Sequence, residues 1–358
     1  MGLRRASMGR PVLVMAVAVV AIAAGCSDSE RTTEPTNYDP HVRVVDLGHE
    51  GNVSALAFSP DGRLLATASN DETVRLWDLA AGRTVRSLST GVLGNQVVAF
   101  SPDGRLIVTA GKVSDDGIGS VLLWDMASGQ RLATLSGHYR LDTGVVFSPD
   151  GATLAVASFN NGGAIPGTAP KWMVKLWDVA TRRASATFSD DGYAGKVAFS
   201  PDGKLLVVST DVVQLIRMTD RRVTDSFPGA NAIFSPDGKL VALSTEGSVV
   251  IRDLAGRTRV TVPAASLVDL EFSPDGTMLA VGTGDGVVRV CDVRSGRVVA
   301  TDPGRQRHFD AAGVTATEGA LQDLAFSPDG RTVAVADWYL TVRLFDVATA
   351  SAGPAASR

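Results

Sequence analysis

Apolar residues recur along the chain in short runs, and these runs follow one repeated pentapeptide, Phe-Ser-Pro-Asp-Gly. Seven copies of it begin at Phe58, Phe100, Phe147, Phe199, Phe234, Phe272 and Phe326. Apolar runs such as residues 64–66 and 205–208 are typical of strands buried on both faces. Ser, Pro, Asp and Gly match the four positions of a type I turn. Each pentapeptide is therefore predicted to end one strand at the Phe and to begin another after the Gly.

A second recurring feature is a Trp-Asp pair, which follows the Phe by 19 residues in the first repeat (58 to 77). The equivalent pairs, in chain order, are Trp77-Asp78, Trp124-Asp125, Trp177-Asp178, Ile216-Arg217, Arg252-Asp253, Cys291-Asp292 and Phe345-Asp346. A repeat of about 40–45 residues is typical of propeller blades. With Gly48-His49 and Gly137-His138 upstream, residues 41–347 resemble the WD-repeat β-propeller family. The resemblance implies an all-β, seven-bladed β-propeller with four-stranded antiparallel blades.

The two ends of the repeat region indicate how the ring closes. Residues 41–48, HVRVVDLG, alternate polar and apolar side chains as a strand does and directly precede the first repeat. The last repeat supplies three strands, and residues 348–358 are too small and polar to form a fourth. We therefore predict that the N-terminal strand pairs with the last blade as its outer strand, which removes an open edge. Residues 348–358 are expected to be a disordered tail.

The resemblance also implies a structural hydrogen-bond network within a blade, formed by a His, a Ser or Thr, an Asp and a Trp. In blade one the matching residues are His49, Ser69, Asp71 and Trp77. In blade three they are His138, Ser158 and Trp177, and an insertion lies where the Asp belongs. Buried polar groups need hydrogen-bond partners, so these residues are interpreted as holding the fold and not as catalytic.

The first 40 residues have the features of an export signal followed by a tether. Three arginines precede 14 apolar residues, 11–24, which is shorter than a membrane-spanning helix of about 20 residues. Residues 23–26, AAGC, resemble the lipobox of bacterial lipoproteins, in which the cysteine is acylated. We predict a signal peptide over 1–25, lipidation at Cys26, a flexible tether over 26–40 and a location outside the cytoplasm on the bacterial cell membrane. The alternative is an ordinary signal peptide, or an uncleaved anchor, with an incidental cysteine.

Charge and composition narrow the classes of function. The formal net charge is −4, which argues against a nucleic-acid partner, since such proteins carry a basic face. The two cysteines exclude a disulfide framework, and the four histidines are too far apart in the sequence to suggest a metal site. The chain has no nucleophile elbow, zinc-protease motif or phosphate-binding loop. We expect a monomer without a cofactor or metal, and no enzymatic activity.

The repeat is irregular at three places, and these places are the lead to function. The Phe-to-Trp spacing rises to 24 in blade two (100 to 124) and 30 in blade three (147 to 177), and residues 302–320 separate blades six and seven. Because strands alternate in direction, all three insertions should lie at one end of the propeller, opposite the pentapeptide turns. The candidate binding face comprises Lys112, Asp115, Asp116, Asn160, Asn161, Lys171, Trp172, Arg305, Arg307, His308, Trp338 and Tyr339.

Three functions are compatible with this pattern. The favoured one is a non-enzymatic interaction scaffold, tethered to the membrane, that presents the loop-rich face to a protein or peptide. The alternatives are a propeller enzyme that uses the axial channel, like a lactonase or a quinoprotein, and a binder of a small ligand, glycan or cation on the same face. The enzyme would need charged residues that converge from several blades, and no such set is evident in the sequence.

Overall fold

A computed structural model describes residues 41–112, 119–138, 140–160, 171–191, 196–210, 212–304, 320–337 and 340–350. Its strands, in chain order, are β1 Val42–Asp46, β2 Val53–Phe58, β3 Leu64–Ser69, β4 Thr73–Asp78, β5 Arg83–Ser89, β6 Leu93–Phe100, β7 Leu106–Lys112, β8 Gly119–Asp125, β9 Arg131–His138, β10 Arg140–Phe147, β11 Thr153–Asn160, β12 Lys171–Asp178, β13 Arg183–Asp191, β14 Val197–Phe199, β15 Leu205–Ser209, β16 Val212–Arg217, β17 Arg222–Pro228, β18 Ala230–Phe234, β19 Leu240–Thr245, β20 Ser248–Asp253, β21 Thr258–Pro263, β22 Leu267–Phe272, β23 Met278–Thr283, β24 Val288–Asp292, β25 Val298–Asp302, β26 Leu321–Phe326, β27 Thr332–Asp337 and β28 Thr341–Asp346.

These strands form seven four-stranded antiparallel sheets, which are the blades of a β-propeller. Blade one is β2–β5, each later blade takes the next strands in order, and blade seven is completed by β1. The predicted fold class is therefore confirmed. A single helical turn, α1 (Val347–Ala350), begins at the end of blade seven. No helix in the described part of the chain is long and apolar enough to cross a membrane.

The ring is closed by the N-terminal strand, as predicted. Strand β1 pairs antiparallel with β28 in a register that runs from Val42 opposite Phe345 to Asp46 opposite Thr341. The sheet order is β1-β28-β27-β26, so the first strand of the propeller is the outer strand of its last blade. Opening the ring would therefore require the whole β1–β28 ladder to separate.

The seven pentapeptides form the turns that were predicted. In the first copy, the Gly62 amide donates to the Ser59 carbonyl at 2.8 Å, and Gly62 has a positive φ of 70°. The Ser59 hydroxyl donates to Asp61 Oδ1 at 2.6 Å and accepts from the Leu64 amide at 2.9 Å. The same two side-chain bonds recur in the other six copies at 2.5–2.7 and 2.9–3.0 Å. Each buried serine is thus satisfied within its own turn.

The hydrophobic core lies between neighbouring blades. One cluster joins Leu76 and Leu88 of blade one to Ile107 and Leu122 of blade two, and the other clusters likewise combine residues of adjacent sheets. Cys291, which replaces the repeat tryptophan in blade six, is fully buried in such a cluster. Burial raises the pKa of its thiol to about 11, so it is a packing residue and not a nucleophile.

Blades six and seven are joined by a buried ion cluster. Arg343 on β28 is completely buried and donates from Nε to Asp337 Oδ2 at 3.1 Å. Its Nη1 bonds Asp302 at the end of β25, and its Nη2 donates to the Gly286 carbonyl at 2.9 Å. The equivalent arginine of blade one, Arg75, is half-buried and donates to a backbone carbonyl. Blade seven therefore has a charge-dependent contact with its neighbour that blade one lacks.

We expect Arg343→Met to lower the free energy of unfolding by about 3–5 kcal/mol, because it leaves buried carboxylates without their cation. Urea denaturation followed by circular dichroism measures this loss. The matched variant Arg75→Met should cost less than about 1 kcal/mol. Equal losses for the two variants would show that the ion cluster has no special role in joining blades six and seven.

Candidate functional site

The polar residues of blade one that match the family network form a hydrogen-bonded group around His49. His49 Nδ1 lies 2.8 Å from Asp71 Oδ2, and His49 Nε2 lies 2.8 Å from Thr67 Oγ1. The hydroxyl that bonds the imidazole is therefore that of Thr67 and not that of Ser69. Ser69 instead donates to the Gly51 carbonyl at 2.7 Å and accepts from the Asp71 amide at 3.1 Å.

Burial and hydrogen bonding determine the protonation states of His49 and Asp71. Burial lowers the pKa of His49 more than Asp71 raises it. Burial of Asp71 opposes ionisation, but hydrogen bonds from Thr73, His49 and the Glu50 amide outweigh it and hold the carboxyl pKa at about 2. A neutral imidazole thus donates from Nδ1 to a carboxylate. The other predicted member, Trp77, has no hydrogen-bond partner for its indole N–H among the described residues.

Blade three keeps the His, the Ser and the Trp but not the hydrogen bonds of blade one. His138 packs against the Trp177 ring with centroids 5.7 Å apart. Both imidazole nitrogens, the Ser158 hydroxyl and the Trp177 N–H are buried without a hydrogen-bond partner among the described residues. Val156 stands where blade one has Thr67. Burial, aided by the nearby charge of Lys175, lowers the pKa of His138 to about 3, so this imidazole is neutral.

The structure describes only part of the predicted binding face. Lys112 is half-buried at the end of β7, and Asn160 pairs with Lys171 in the β11–β12 register. Trp172 follows in the same strand, and its side chain is only 3% exposed within the core between blades three and four. The expected exposure of Trp172 is therefore wrong, because β11 and β12 continue into the segment that was predicted as a loop. Asp115, Asp116, Asn161, Arg305, Arg307, His308, Trp338, Tyr339 and Cys26 lie outside the described residues.

One further apolar residue belongs to this end of the propeller. Leu340 precedes β28 and is 44% exposed, which is high for a large apolar side chain. It directly follows the predicted aromatic pair in the turn between β27 and β28. Sequence analysis overlooked it because a lone leucine in a turn carries no distinctive pattern.

A second candidate site lies in the axial channel, where the first strands of the blades meet. The channel contains a cavity of about 660 Å³. Seven equivalent residues line it, each three residues before the Phe of a pentapeptide: Ala55, Val97, Gly144, Lys196, Asn231, Asp269 and Asp323. At this position blades one to three have small or apolar residues, whereas blades four to seven have polar or charged ones.

Charged groups from three blades converge on this cavity. Lys196, which precedes β14, forms an ion pair with Asp269 of β22, and 35% of the lysine side chain remains exposed. Asp269 Oδ2 also accepts from the Leu324 amide at 3.2 Å, and Asp323 Oδ2 accepts from the Leu56 amide at 2.9 Å. Burial and the Asp269 charge raise the pKa of Asp323 well above its usual range. For Lys196, the neighbouring carboxylates outweigh burial and raise the ammonium pKa.

Glu271, two residues after Asp269 on β22, adds a third carboxyl group. Its Oε2 accepts from the Phe326 amide at 2.5 Å. Glu271 lines both the axial cavity and a neighbouring cavity of about 400 Å³ that reaches the prolines of the pentapeptide turns. Burial is the main reason that its pKa rises to about 8, so the carboxyl is mostly protonated at neutral pH. Among the described residues, no group of His, Cys, Asp and Glu has the arrangement of a metal site.

Sequence analysis missed this set of converging charges. Lys196, Asp269 and Asp323 are 73 and 54 residues apart along the chain, and each reads as an ordinary strand residue in its own repeat. The signal that could have found them is positional. When the seven repeats are stacked on their Phe residues, the charged residues fall in one column.

Comparisons with known sequences agree with the observed architecture. The sequence model described as "WD domain, G-beta repeat" matches residues 41–78, 129–162 and 312–346. The model of the anaphase-promoting complex subunit 4 WD40 domain matches residues 232–316. The seven four-stranded blades and these matches together support a WD-repeat β-propeller.

Curated relatives are similar over short segments. Target of rapamycin complex subunit wat1 of Schizosaccharomyces pombe is 41% identical over 61 residues, covering 14% of this chain and 19% of that protein. Small ribosomal subunit protein RACK1 of Medicago sativa is 44% identical over 50 residues, covering 14% and 15%. Telomerase protein component 1 of Mus musculus is 38% identical over 79 residues, covering 20% and 3%. The chain thus spans less than a fifth of each of these relatives.

The raised pKa of Glu271 predicts how stability depends on pH. The unfolded chain loses the glutamate proton near pH 4.5, whereas the folded chain keeps it until about pH 8. The contribution of Glu271 to the free energy of unfolding is therefore fully present below pH 4.5 and is lost as the pH rises through about 8. Glu271→Gln removes this pH-dependent loss. The difference in free energy of unfolding between the variant and wild type should therefore increase by about 3 kcal/mol from pH 4.5 to pH 9, a figure reduced for the partial exposure of the Glu271 side chain.

Urea denaturation of wild type and variant at pH 4.5 and pH 9 tests this prediction. Glu246→Gln is the matched control, because Glu246 is exposed in the turn between β19 and β20 and undergoes the same change of charge. The control should not reproduce the gain expected for Glu271→Gln. Parallel pH curves for wild type and Glu271→Gln would contradict the burial argument.

Proposed function

We propose that the chain is an exported, lipid-anchored interaction scaffold that binds a protein or peptide partner through one end of the propeller. The observation that carries this proposal is the position of the irregular connections. Residues 113–118 separate β7 from β8, residues 161–170 separate β11 from β12, and residues 303–320 separate β25 from β26. In antiparallel blades, second-to-third and blade-to-blade connections leave from the end opposite the pentapeptide turns. Variable loops on a rigid scaffold commonly carry binding function.

The names of relatives support binding in place of catalysis. Among the similar proteins are a target of rapamycin complex subunit and a small ribosomal subunit protein, and both names denote components of an assembly. The exposed Leu340 directly follows Trp338 and Tyr339 in the sequence, and Trp and Tyr are enriched at interaction hot spots. We propose no reaction for this end of the molecule.

The N-terminal segment supports the membrane location. Arginines precede the 14-residue apolar segment 11–24, and Cys26 follows small residues. A signal sequence of this kind would deliver the propeller across the membrane, and acylation of Cys26 would retain it there through the 26–40 tether. A single acyl chain gives only weak, reversible membrane binding, so stable retention requires more than one chain.

Cys26→Ala should abolish incorporation of labelled palmitate and release the protein from the membrane fraction. Cys291→Ala is the control, because that cysteine is buried in the propeller core. The measurement is metabolic labelling followed by fractionation. Persistent labelling of Cys26→Ala would contradict lipidation at this residue.

Trp338→Ala combined with Tyr339→Ala should lower partner capture at least tenfold, because removal of two aromatic anchors costs more than about 1.4 kcal/mol of binding. The assay is crosslinking in the native membrane followed by quantitative mass spectrometry of the recovered partner. The control is Arg63→Ala with Arg105→Ala, two exposed residues at the pentapeptide end. Equal capture by the aromatic variant and wild type, with equal melting temperatures, would show that the interface lies elsewhere on the protein.

A further inference from the structure

We propose that the axial channel binds a small organic cation, a protonated amine or a guanidinium group carried on a short aliphatic body. The site is formed by the cavity and by its channel carboxyls, which are Asp269, Glu271 and Asp323. This inference concerns the channel alone and does not depend on the proposed binding face.

The first argument is the excess of acidic over basic side chains around the axial cavity. Three carboxyl groups and one ammonium group line the cavity. The ammonium of Lys196 forms its ion pair with Asp269. Glu271 and Asp323 therefore have no ion-pair partner of their own among the described residues. Both carboxyl groups are half-buried in the channel wall, where they lose part of their hydration without gaining an ion pair.

The second argument is the hydrogen bonding of Glu271. One of its oxygens accepts from the Phe326 amide, and the other has no hydrogen-bond partner among the described residues. The side chain lines the cavity from a ring position that is otherwise apolar: Ala57, Ala99, Val146, Ala198, Ile233 and Ala325. A single carboxyl group with an open acceptor in an apolar ring favours a ligand that donates hydrogen bonds.

The third argument is the shape of the cavity. Its volume of about 660 Å³ is in the range of small-molecule sites. The cavity lining from blades two and three, which lie across the ring from blade six, is apolar and includes Val97, Gly144 and Val145. A ligand with a cationic head toward blades six and seven and an alkyl body toward blades two and three satisfies both walls. An anionic head would meet the carboxyl groups and is disfavoured.

Binding of a cation should be coupled to release of protons. The carboxyl groups of Glu271 and Asp323 both have raised pKa values in the empty channel. A bound ammonium or guanidinium favours their ionised forms, so each binding event expels protons and the affinity increases with pH. The groups that face Glu271 and Asp323 from the surrounding strands are Lys196, Asp269, Asn231 and Gln322, of which only the first two carry charge.

The test is isothermal titration calorimetry of the whole propeller with four probes of equal chain length: butylguanidinium, butylammonium, butanol and butyrate. We expect the two cations to bind, with affinity at least fivefold higher at pH 8.5 than at pH 6.5 and with proton release in two buffers of different ionisation enthalpy. Binding of butyrate or butanol as tight as that of the cations would overturn the proposal. Cation binding without proton release would overturn it equally.

Substitutions of the channel residues test whether the cations bind in the channel. Glu271→Gln and Asp323→Asn should each weaken butylguanidinium at least tenfold, whereas the exposed control Glu246→Gln should leave it unchanged. Lys196→Met should strengthen binding at least threefold, because the ligand then replaces the internal ammonium. An unchanged affinity in both carboxyl variants would overturn the proposal. If a variant does not fold, the proton-release measurement on wild type decides the matter.

The same cationic group could come from a free metabolite or from a lysine or arginine side chain of a partner. A tripeptide with a central arginine, capped at both ends, separates these sources. We expect the free probe to bind more tightly than the tripeptide, because the channel walls enclose the cavity on all sides of the ring. Tighter binding of the tripeptide, lost in Glu271→Gln, would place a partner side chain in the channel and overturn the assignment to a free ligand.

Discussion

The hydrogen bonds inside the pentapeptide turn are the constraint on which the ring depends. In each blade the serine hydroxyl is shared between an aspartate and the amide that begins the second strand, so the first two strands leave the turn in the same geometry seven times. The turns also contact each other. A Cβ on Gly104 would lie 3.7 Å from the Pro60 ring, and one on Gly62 would lie 3.6 Å from Pro328. Each glycine thus faces the proline of the preceding blade, and the last such contact closes the circle.

This regular end explains where variation is tolerated. The ring is closed twice, by the Pro328–Gly62 contact near the axis and by the β1–β28 ladder at the rim. Neither closure involves the connections at the opposite end, so those connections can lengthen without opening the ring. The buried Arg343 cluster lies beside the longest of them and joins blade six to blade seven at that point. The fold therefore separates an end where all seven turns have the same length, which assembles the ring, from an end where the length of the connections differs between blades.

The sequence was sufficient for the fold because the repeat itself encodes it. Seven turns, the alternation of residues 41–48 and the buried place of Cys291 could all be read from local pattern. Trp172 could not, because strand length depends on pairing, and β12 continues to Lys171 opposite Asn160. Nor could Thr67 be chosen over Ser69, since the two residues are separated by one strand period and point to the same side. The channel carboxyls depend on closure of the ring, which brings residues from distant repeats together.

The asymmetry of the channel ring is the feature that repetition does not account for. Packing around the axis needs only small side chains, and blades one, two and three have Ala55, Val97 and Gly144 at this position. Blades six and seven have Asp269 and Asp323 there, at a cost in desolvation that an aliphatic residue would avoid. The Lys196–Asp269 pair offsets part of that cost, but Asp323 and Glu271 form no ion pair of their own among the described residues. An aliphatic residue at either position would avoid this desolvation, and the cationic ligand proposed for the channel would offset it.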